Sequence, residues 1–227
     1  MKFTVIGLGN FGSVLCESLS AMGHDVVGVD NDMEKVETFK KSIDNVICLD
    51  ACNSVALNTL PLKESDAVFV TIGENFGASV KVIALLKQIG VKRLIGRSMS
   101  PLHKAVIEAI GVDEIISPES EYAQMFALKM NLPGTIQSFA VDSAWSIVHL
   151  KAPSVLVGQT LSAIDFKGRF DVQLLAVART KSEKNVFGRM SETSTILNDP
   201  APEERIQPDD RLILFGRTEC IYKLSVL

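Results

Sequence analysis

The sequence predicts an α/β fold: a doubly wound parallel sheet followed by a small α+β domain. Three observations carry this. From the start to about residue 117, short β-rich runs alternate with helical spacing. Several of those runs are apolar nearly throughout, as a parallel strand covered on both faces must be. After Gly134 the pattern changes to alternating strands separated by turns. Strand, helix and parallel strand repeated in this way give a sheet wound on both faces.

The elements follow in order. Lys2 to Ile6 is a β-rich run ended by Gly7. Asn10 to Met22 places Phe11, Val14, Leu15, Leu19 and Met22 at helical spacing, and Gly23-His24 stops it. Asp25 to Asp30 is the second strand, Met33 to Lys41 a helix, and Asn45 to Leu49 the third strand. Asp66 to Val70 is the fourth strand, Asn75 to Gln88 a long helix, and Gly90 its stop. Arg93 to Gly96, the helix from Pro101 to Ile110, and Glu114 to Ile116 complete the series. A helix over 119–131 ends at Asn131-Leu132-Pro133-Gly134, which marks the domain boundary. The first domain is thus read as 1–133 and the second as 134–227. In the second, Ile136 to Asp142, Trp145 to Lys151, Gln173 to Arg179 and Arg211 to Phe215 read as strands, and Leu161 to Phe166 as a short helix. Thr180 to Glu204 reads as a polar connection.

Gly7-Leu8-Gly9-Asn10-Phe11-Gly12 has GxGxxG spacing, follows a predicted strand and opens a predicted helix. Gly7 permits the tight turn, Gly9 lets a phosphate approach the backbone, and Gly12 allows close helix packing. The start of the helix then offers N–H groups and partial positive charge to an anion. This is the Rossmann-like dinucleotide fingerprint. Asp30 closes the second strand, where a carboxylate accepts from both ribose hydroxyls and repels a 2′-phosphate. Asp32 adds negative charge without a nearby arginine, so NADP is disfavoured and NAD or adenine nucleotides remain.

Composition excludes other classes. Of 227 residues, 47% are hydrophobic and 22% charged, values of a folded globular chain. Lysine and arginine number 23 against 27 acids, a net charge of −4. Broad electrostatic binding to nucleic acid or anionic lipid is not expected. The apolar run before Gly7 is shorter than a secretory signal core of about 7–15 residues. No run approaches the roughly 18 apolar residues of a membrane span. Cys16, Cys48, Cys52 and Cys220 form no CxxC pair and are read as buried reduced thiols.

Catalytic machinery is not visible. Tyr122 and Tyr222 are followed four residues on by Phe126 and Val226, so the Tyr/Lys pair of short-chain dehydrogenases is missing. His24 falls in a surface turn, His103 in a helix first turn where a surface role is expected, and His149 in a strand of the tail. There is no HExxH and no acid cluster at ligand spacing. The chain reads as built to bind a nucleotide rather than react it. A small NAD-dependent oxidoreductase is the alternative.

The residues also carry a resemblance. Val5 to Gly12, Asp25 to Asp32, Asp50-Ala51-Cys52, Val70 to Asn75 and, most specifically, Leu102 to Glu119 resemble the Trk/Ktr family of regulatory subunits of bacterial potassium uptake systems. In the tail, Gly158 to Leu161 and Ile206 to Gly216 resemble the family's C-terminal domain. The resemblance implies an RCK nucleotide-binding domain (TrkA-N) with a smaller TrkA-C domain, no enzymatic activity, and a cytosolic ring, usually an octamer made of dimers. The ring docks on a potassium-translocating membrane subunit at the inner face of the membrane. ATP and ADP, or NADH and NAD, compete for the site, and in some relatives the C-terminal domain binds cyclic di-AMP.

Residue by residue, the resemblance assigns Gly7, Gly9 and Gly12 to the phosphate loop, with Asn10 and Phe11 between them, and Asp30 with Asn31 to the ribose. Asp50, Ala51 and Cys52 form the adenine-side turn. Thr71, Ile72, Gly73 and Asn75 line the floor. Arg97 either faces the phosphates or is a surface arginine at a strand end. Glu119 either helps hold Mg²⁺ or Ca²⁺ beside the phosphates or is a first-turn acid favoured by the helix dipole. Where many ATP-responsive members carry arginine, this chain has Asn10, which leaves room for NAD(H). The apolar residues of the helix over 121–130 either bridge a dimer or face a core.

Overall fold

A computed structural model describes residues 1–184 and 190–227. It divides into two units, Met1–Pro118 and Glu119–Leu227. The first unit carries, in chain order, β1 (Lys2–Ile6), α1 (Asn10–Ala21), β2 (Asp25–Asp30), α2 (Met33–Phe39), β3 (Asn45–Cys48) and α3 (Ser54–Leu57). These are followed by β4 (Ala67–Val70), α4 (Phe76–Ile89), β5 (Leu94–Arg97), α5 (Pro101–Ile110) and β6 (Glu114–Ile116). Among the described residues the strands form one parallel sheet in the order β3-β2-β1-β4-β5-β6.

This order reverses between β1 and β4, and the reversal opens a crevice at the carboxyl ends of those strands. Both faces of the sheet are covered. Neighbouring residues of β1 divide between two cores, Val5 with Phe3, Cys16 and Val26, and Ile6 with Val70, Val82, Ile83 and Leu86. Helix ends are set by local chemistry. Asn75 caps α4 by accepting from Ala78 N–H (2.9 Å), and Gly90 ends it in the left-handed region. Ser100 caps α5 through His103 N–H (3.1 Å), with Pro101 in the first turn.

The second unit opens with α6 (Pro118–Asn131) and continues with β7 (Thr135–Ala140) and β8 (Trp145–Lys151). After a 3₁₀ turn at Ser154–Leu156 come α7 (Leu161–Ile164), α8 (Phe166–Phe170), β9 (Val172–Lys184), β10 (Met190–Asn198), β11 (Arg211–Arg217) and α9 (Thr218–Ser225). Its antiparallel sheet has the order β10-β9-β11-β8-β7. Strict alternation along β8 and β11 sends Val148, Leu150, Leu212 and Leu214 to one face, where Leu156, Ile164, Phe166, Ile221 and Leu224 cover them. Leu128 of α6 packs on this core, Leu132 just after the helix is part of it, and Ser138 Oγ donates to Met125 O (3.2 Å).

Several expectations change. The polar connection over 180–204 contains a strand, β10, paired with β9 from Met190↔Lys184 to Asn198↔Ala176; residues 185–189 lie outside the described residues. The short helix over 161–166 is two, α7 and α8, and β9 runs to Lys184. Of the four cysteines, which form no disulfide, only Cys16 is fully buried, and burial pushes its thiol up to about 12. Cys48 is exposed. Among the described residues no helix is long and apolar enough to cross a membrane.

Candidate functional site

The crevice is an open cavity of about 720 Å³, and all its lining comes from the first unit. Its walls are the glycine turn after β1, the ends of β2 and β3, the segment after β4, and Arg97 at the end of β5. Most of the residues singled out from the sequence meet here: Gly7, Gly9, Asn10, Asp30, Asn31, Asp50, Ala51, Cys52, Thr71, Ile72, Gly73, Asn75 and Arg97.

The glycine turn is held by backbone contacts that forbid side chains. Gly7 has φ +104° and donates its N–H to Val29 O (2.8 Å). A Cβ there would lie 2.9 Å from Ile72 N, so both its conformation and its packing require glycine. Gly12 does not line the cavity. A Cβ on it would overlap the carbonyl oxygen of Gly7, so this glycine lets α1 lie against the turn. Gly9 is the opposite case: a Cβ there would meet nothing within 4 Å, so its backbone faces open space. Gly9 caps α1 without a side chain, and no acid stands in the first turn. That combination leaves the positive end of α1 to whatever fills the cavity. Thr71, almost fully buried, donates from Oγ1 to Gly7 O (2.7 Å) and ties β4 to the turn.

Asp30 is 8% exposed and does local work first. Its Oδ2 accepts from Leu8 N–H (2.7 Å) and its Oδ1 from Asp32 N–H (3.0 Å). A carboxylate has about four acceptor positions, so it can still receive two hydroxyls. Asp50 orders its own turn by accepting from Cys52 N–H (2.9 Å). The Cys52 thiol lies within 3.9 Å of Ala78 O, and burial raises its pKa, which keeps it a neutral thiol. Asn75 is occupied as the cap of α4.

Charge is unevenly spread over the lining. Asp30, Asp32, Glu34 and Asp50 stand on the side of β2 and β3, with Lys35 among them. Arg97 stands on the other side, 5.7 Å from the ring centroid of Phe11, which itself does not line the cavity. Asp32, Glu34, Lys35, Thr38, Phe39 and Glu74 also line it. Asp32 entered the sequence reading only as a charge, and the others were missed: they follow β2 or β4 without a glycine or spacing signal. Glu119 stands in the first turn of α6, in the second unit. Among the described residues no three His, Cys, Asp or Glu side chains gather as a metal site. A smaller concavity of about 410 Å³ in the second unit is lined by Leu161, Phe166, Leu174, Leu175, Pro200 and Pro202, among others.

No histidine or tyrosine lines the large cavity. His103, expected at the surface, is fully buried. Phe76 of α4 covers it, with ring centroids 5.0 Å apart, and its Nδ1 accepts from Met99 N–H (3.2 Å). Burial pushes its pKa below the ordinary value, so the folded protein holds it neutral. The unfolded chain takes up this proton near its ordinary value of about 6.5. Stability contributed at neutral pH is therefore lost as pH falls through that value. Urea unfolding at pH 7.5 and 5.5 checks this: His103→Gln has a smaller loss on acidification than wild type, and equal losses would refute it.

A model of the TrkA-N domain matches residues 3–118. The chain is 30% identical over 215 residues to Ktr system potassium uptake protein C of Bacillus subtilis (strain 168), covering 95% of this chain and 91% of that protein. It is 28% identical over 224 residues to Ktr system potassium uptake protein A of the same organism, covering 99% and 95%. Among solved structures, the GsuK RCK domain matches with a TM-score of 0.65 at 13% identity, over all of this chain and 47% of that one. A GsuK channel bound to NAD matches with a TM-score of 0.64 at 13% identity, over all of this chain and 39% of that one. This chain thus spans less than half of either GsuK chain, and at such identity the likeness speaks for the fold.

Proposed function

The chain belongs to the TrkA-N domain family, and from that membership and the cavity we propose that it is the nucleotide-binding regulatory subunit of a bacterial Trk/Ktr-type potassium uptake system. The observation that carries the reading is the cavity at the β1/β4 reversal. It joins an open glycine turn, a buried acid at the end of β2 and an arginine at the end of β5. The open space over Gly9 fits a phosphate group lying against backbone, and Asp30 fits a ribose. ATP and ADP, or NAD(H), are the ligands this site would take. The solved NAD complex of GsuK favours keeping NAD(H) in the test.

In this reading the protein does not react the nucleotide. Its lining supplies no imidazole or phenol to accompany hydride transfer, which counts against the oxidoreductase alternative. Binding instead biases one of two conformations of a homo-oligomeric ring at the inner face of the membrane. A potassium-translocating membrane subunit reads the result. In this reading Met1–Pro118 holds the nucleotide, and 134–227, with α6 packed on it, is the C-terminal module. Mg²⁺ or Ca²⁺, if carried by the nucleotide, would be held chiefly by its phosphates and water.

Calorimetric titration of nucleotide-free protein with ATP, ADP, NADH, NAD and NADPH, with and without Mg²⁺, tests the reading. At least one adenine nucleotide binds with micromolar affinity, and NADPH binds much more weakly. A preference for ATP strengthened by Mg²⁺ identifies an ATP/ADP switch; a preference for NADH identifies a redox-linked gate. Absence of binding by all five refutes the reading.

A further inference from the structure

We propose that His103 is a positioning residue for the nucleotide cavity and makes ligand binding pH-dependent: its neutral ring joins the segment after β5 to the start of α4, and acidification opens that joint. The inference rests on the nucleotide reading above and adds to it a regulation of the same site. His103 does not line the cavity, but both of its partners lead to residues that do. Its Nδ1 accepts from Met99 N–H (3.2 Å), two residues after Arg97. Its ring packs on Phe76, with centroids 5.0 Å apart, and Phe76 follows Asn75 directly. Gly73, Glu74, Asn75 and Ala78 form one stretch of the lining, and Arg97 lines it from the end of β5. These two segments meet, since a Cβ on Gly73 would lie 2.6 Å from Arg97 Nη1. One imidazole thus holds together two neighbouring parts of the cavity wall.

The neutral ring fits this place and the charged ring does not. Because Nδ1 accepts, the single proton of the neutral ring is on Nε2, a buried atom without a hydrogen-bond partner among the described residues. A second proton would go on Nδ1 and face Met99 N–H, donor against donor. The imidazolium would then be wholly buried with no acceptor at either nitrogen, a state that burial opposes. Charged groups on the elements around it are Glu74 before α4, Lys81 and Lys87 on α4, and Arg97 on β5. Lys104 and Glu108 stand on α5 itself, and Asp113 and Glu114 at β6. None of these is a cause of its shifted titration, which comes from burial. Protonation therefore requires the ring to leave its seat. Phe76, its cover, is 41% exposed and begins α4, so the ring leaves by displacing the first turn of that helix. Nucleotide binding and protonation then oppose each other by linkage.

The test follows the affinities of ADP and of NAD between pH 7.5 and 5.5, by calorimetry, for wild type, His103→Gln and Phe76→Ala. Circular dichroism confirms that each protein is folded at both ends of the range. The readout is the loss of affinity on acidification, compared between proteins, so titration of the ligand's own phosphates cancels. An imidazole freed from its seat titrates near its ordinary value of about 6.5, which sets a ceiling of about 10-fold on the loss that His103 can cause. Wild type loses at least about 3-fold more than His103→Gln, which takes up no proton. A purely structural role for His103 would weaken His103→Gln equally at every pH. Phe76→Ala uncovers the ring and moves the midpoint of the profile upward. Equal losses in wild type and His103→Gln, with ligand bound at pH 7.5, overturn this inference alone. Should His103→Gln not fold, an unmoved midpoint in Phe76→Ala overturns it. No binding of either ligand by wild type at pH 7.5 overturns the nucleotide reading and this inference with it.

Discussion

Asp30→Ala lowers adenine-nucleotide affinity by at least about 100-fold, as expected for two charged hydrogen bonds to ribose lost together. The same substitution destabilises the first unit, for a separate reason. Leu8 N–H is buried and has Asp30 Oδ2 as its acceptor at 2.7 Å. Leaving such a donor unpaired costs about 1–3 kcal/mol. In the proposed reading Asp30 has two jobs joined in one carboxylate: its bond from Leu8 N–H fixes the glycine turn, and its remaining acceptor positions take the ribose. Calorimetry and thermal unfolding of the same variant separate them. Asp30→Asn keeps an amide oxygen for Leu8 N–H, so it recovers much of the stability while still binding weakly. Affinity within threefold of wild type in Asp30→Ala would refute the ribose assignment.

That double role also explains what was legible in the sequence. The parallel half announces itself because each buried strand needs apolar residues on both faces, as in Ala67–Val70, and because Gly7 and Gly12 are fixed by backbone contacts that no other residue tolerates. Such constraints act over a few residues and leave a local mark. The strand β10 leaves none. Among the described residues it sits at the sheet edge and pairs with β9, and an edge ladder needs no apolar alternation in sequence, so Ser191 to Thr195 read as a polar connection. Helix α9 was missed because eight residues give room for only Ile221 and Leu224 on the buried side. His103 was misplaced because its cover, Phe76, comes from a different helix. Arg97 stays open between two roles in the sequence for the same reason: Phe11 and Gly73, which lie beside it, are far apart in the chain and adjacent only once folded.

The largest loss of stability is expected at Arg179, in the second unit. Its guanidinium bonds Asp210 through two nitrogens, both at 2.9 Å, and also Glu204 Oε1 (2.8 Å) and Arg205 O (3.1 Å). The bonds it donates to Asp210 hold its pKa above the ordinary arginine value despite burial. Asp210 is wholly buried and additionally accepts from Gln207 N–H (2.8 Å). One side chain therefore fastens the segment before β11 onto β9. Arg179→Ala leaves the Asp210 carboxylate buried without its counter-charge, which costs about 3–5 kcal/mol. Asp210→Asn removes the charge that needs compensation, but it keeps an oxygen for Gln207 N–H and for one arginine donor, so its loss is smaller. The double variant Arg179→Ala/Asp210→Asn is then more stable than Arg179→Ala alone, because the uncompensated charge is gone. Urea unfolding of the three variants checks the order. If Arg179→Ala lost under about 1 kcal/mol, the pair would rank with exposed surface ion pairs. The segment's place would then rest on its backbone bonds, Ile206 N–H to Gln159 O (3.0 Å) and Gly158 N–H to Ile206 O (2.8 Å).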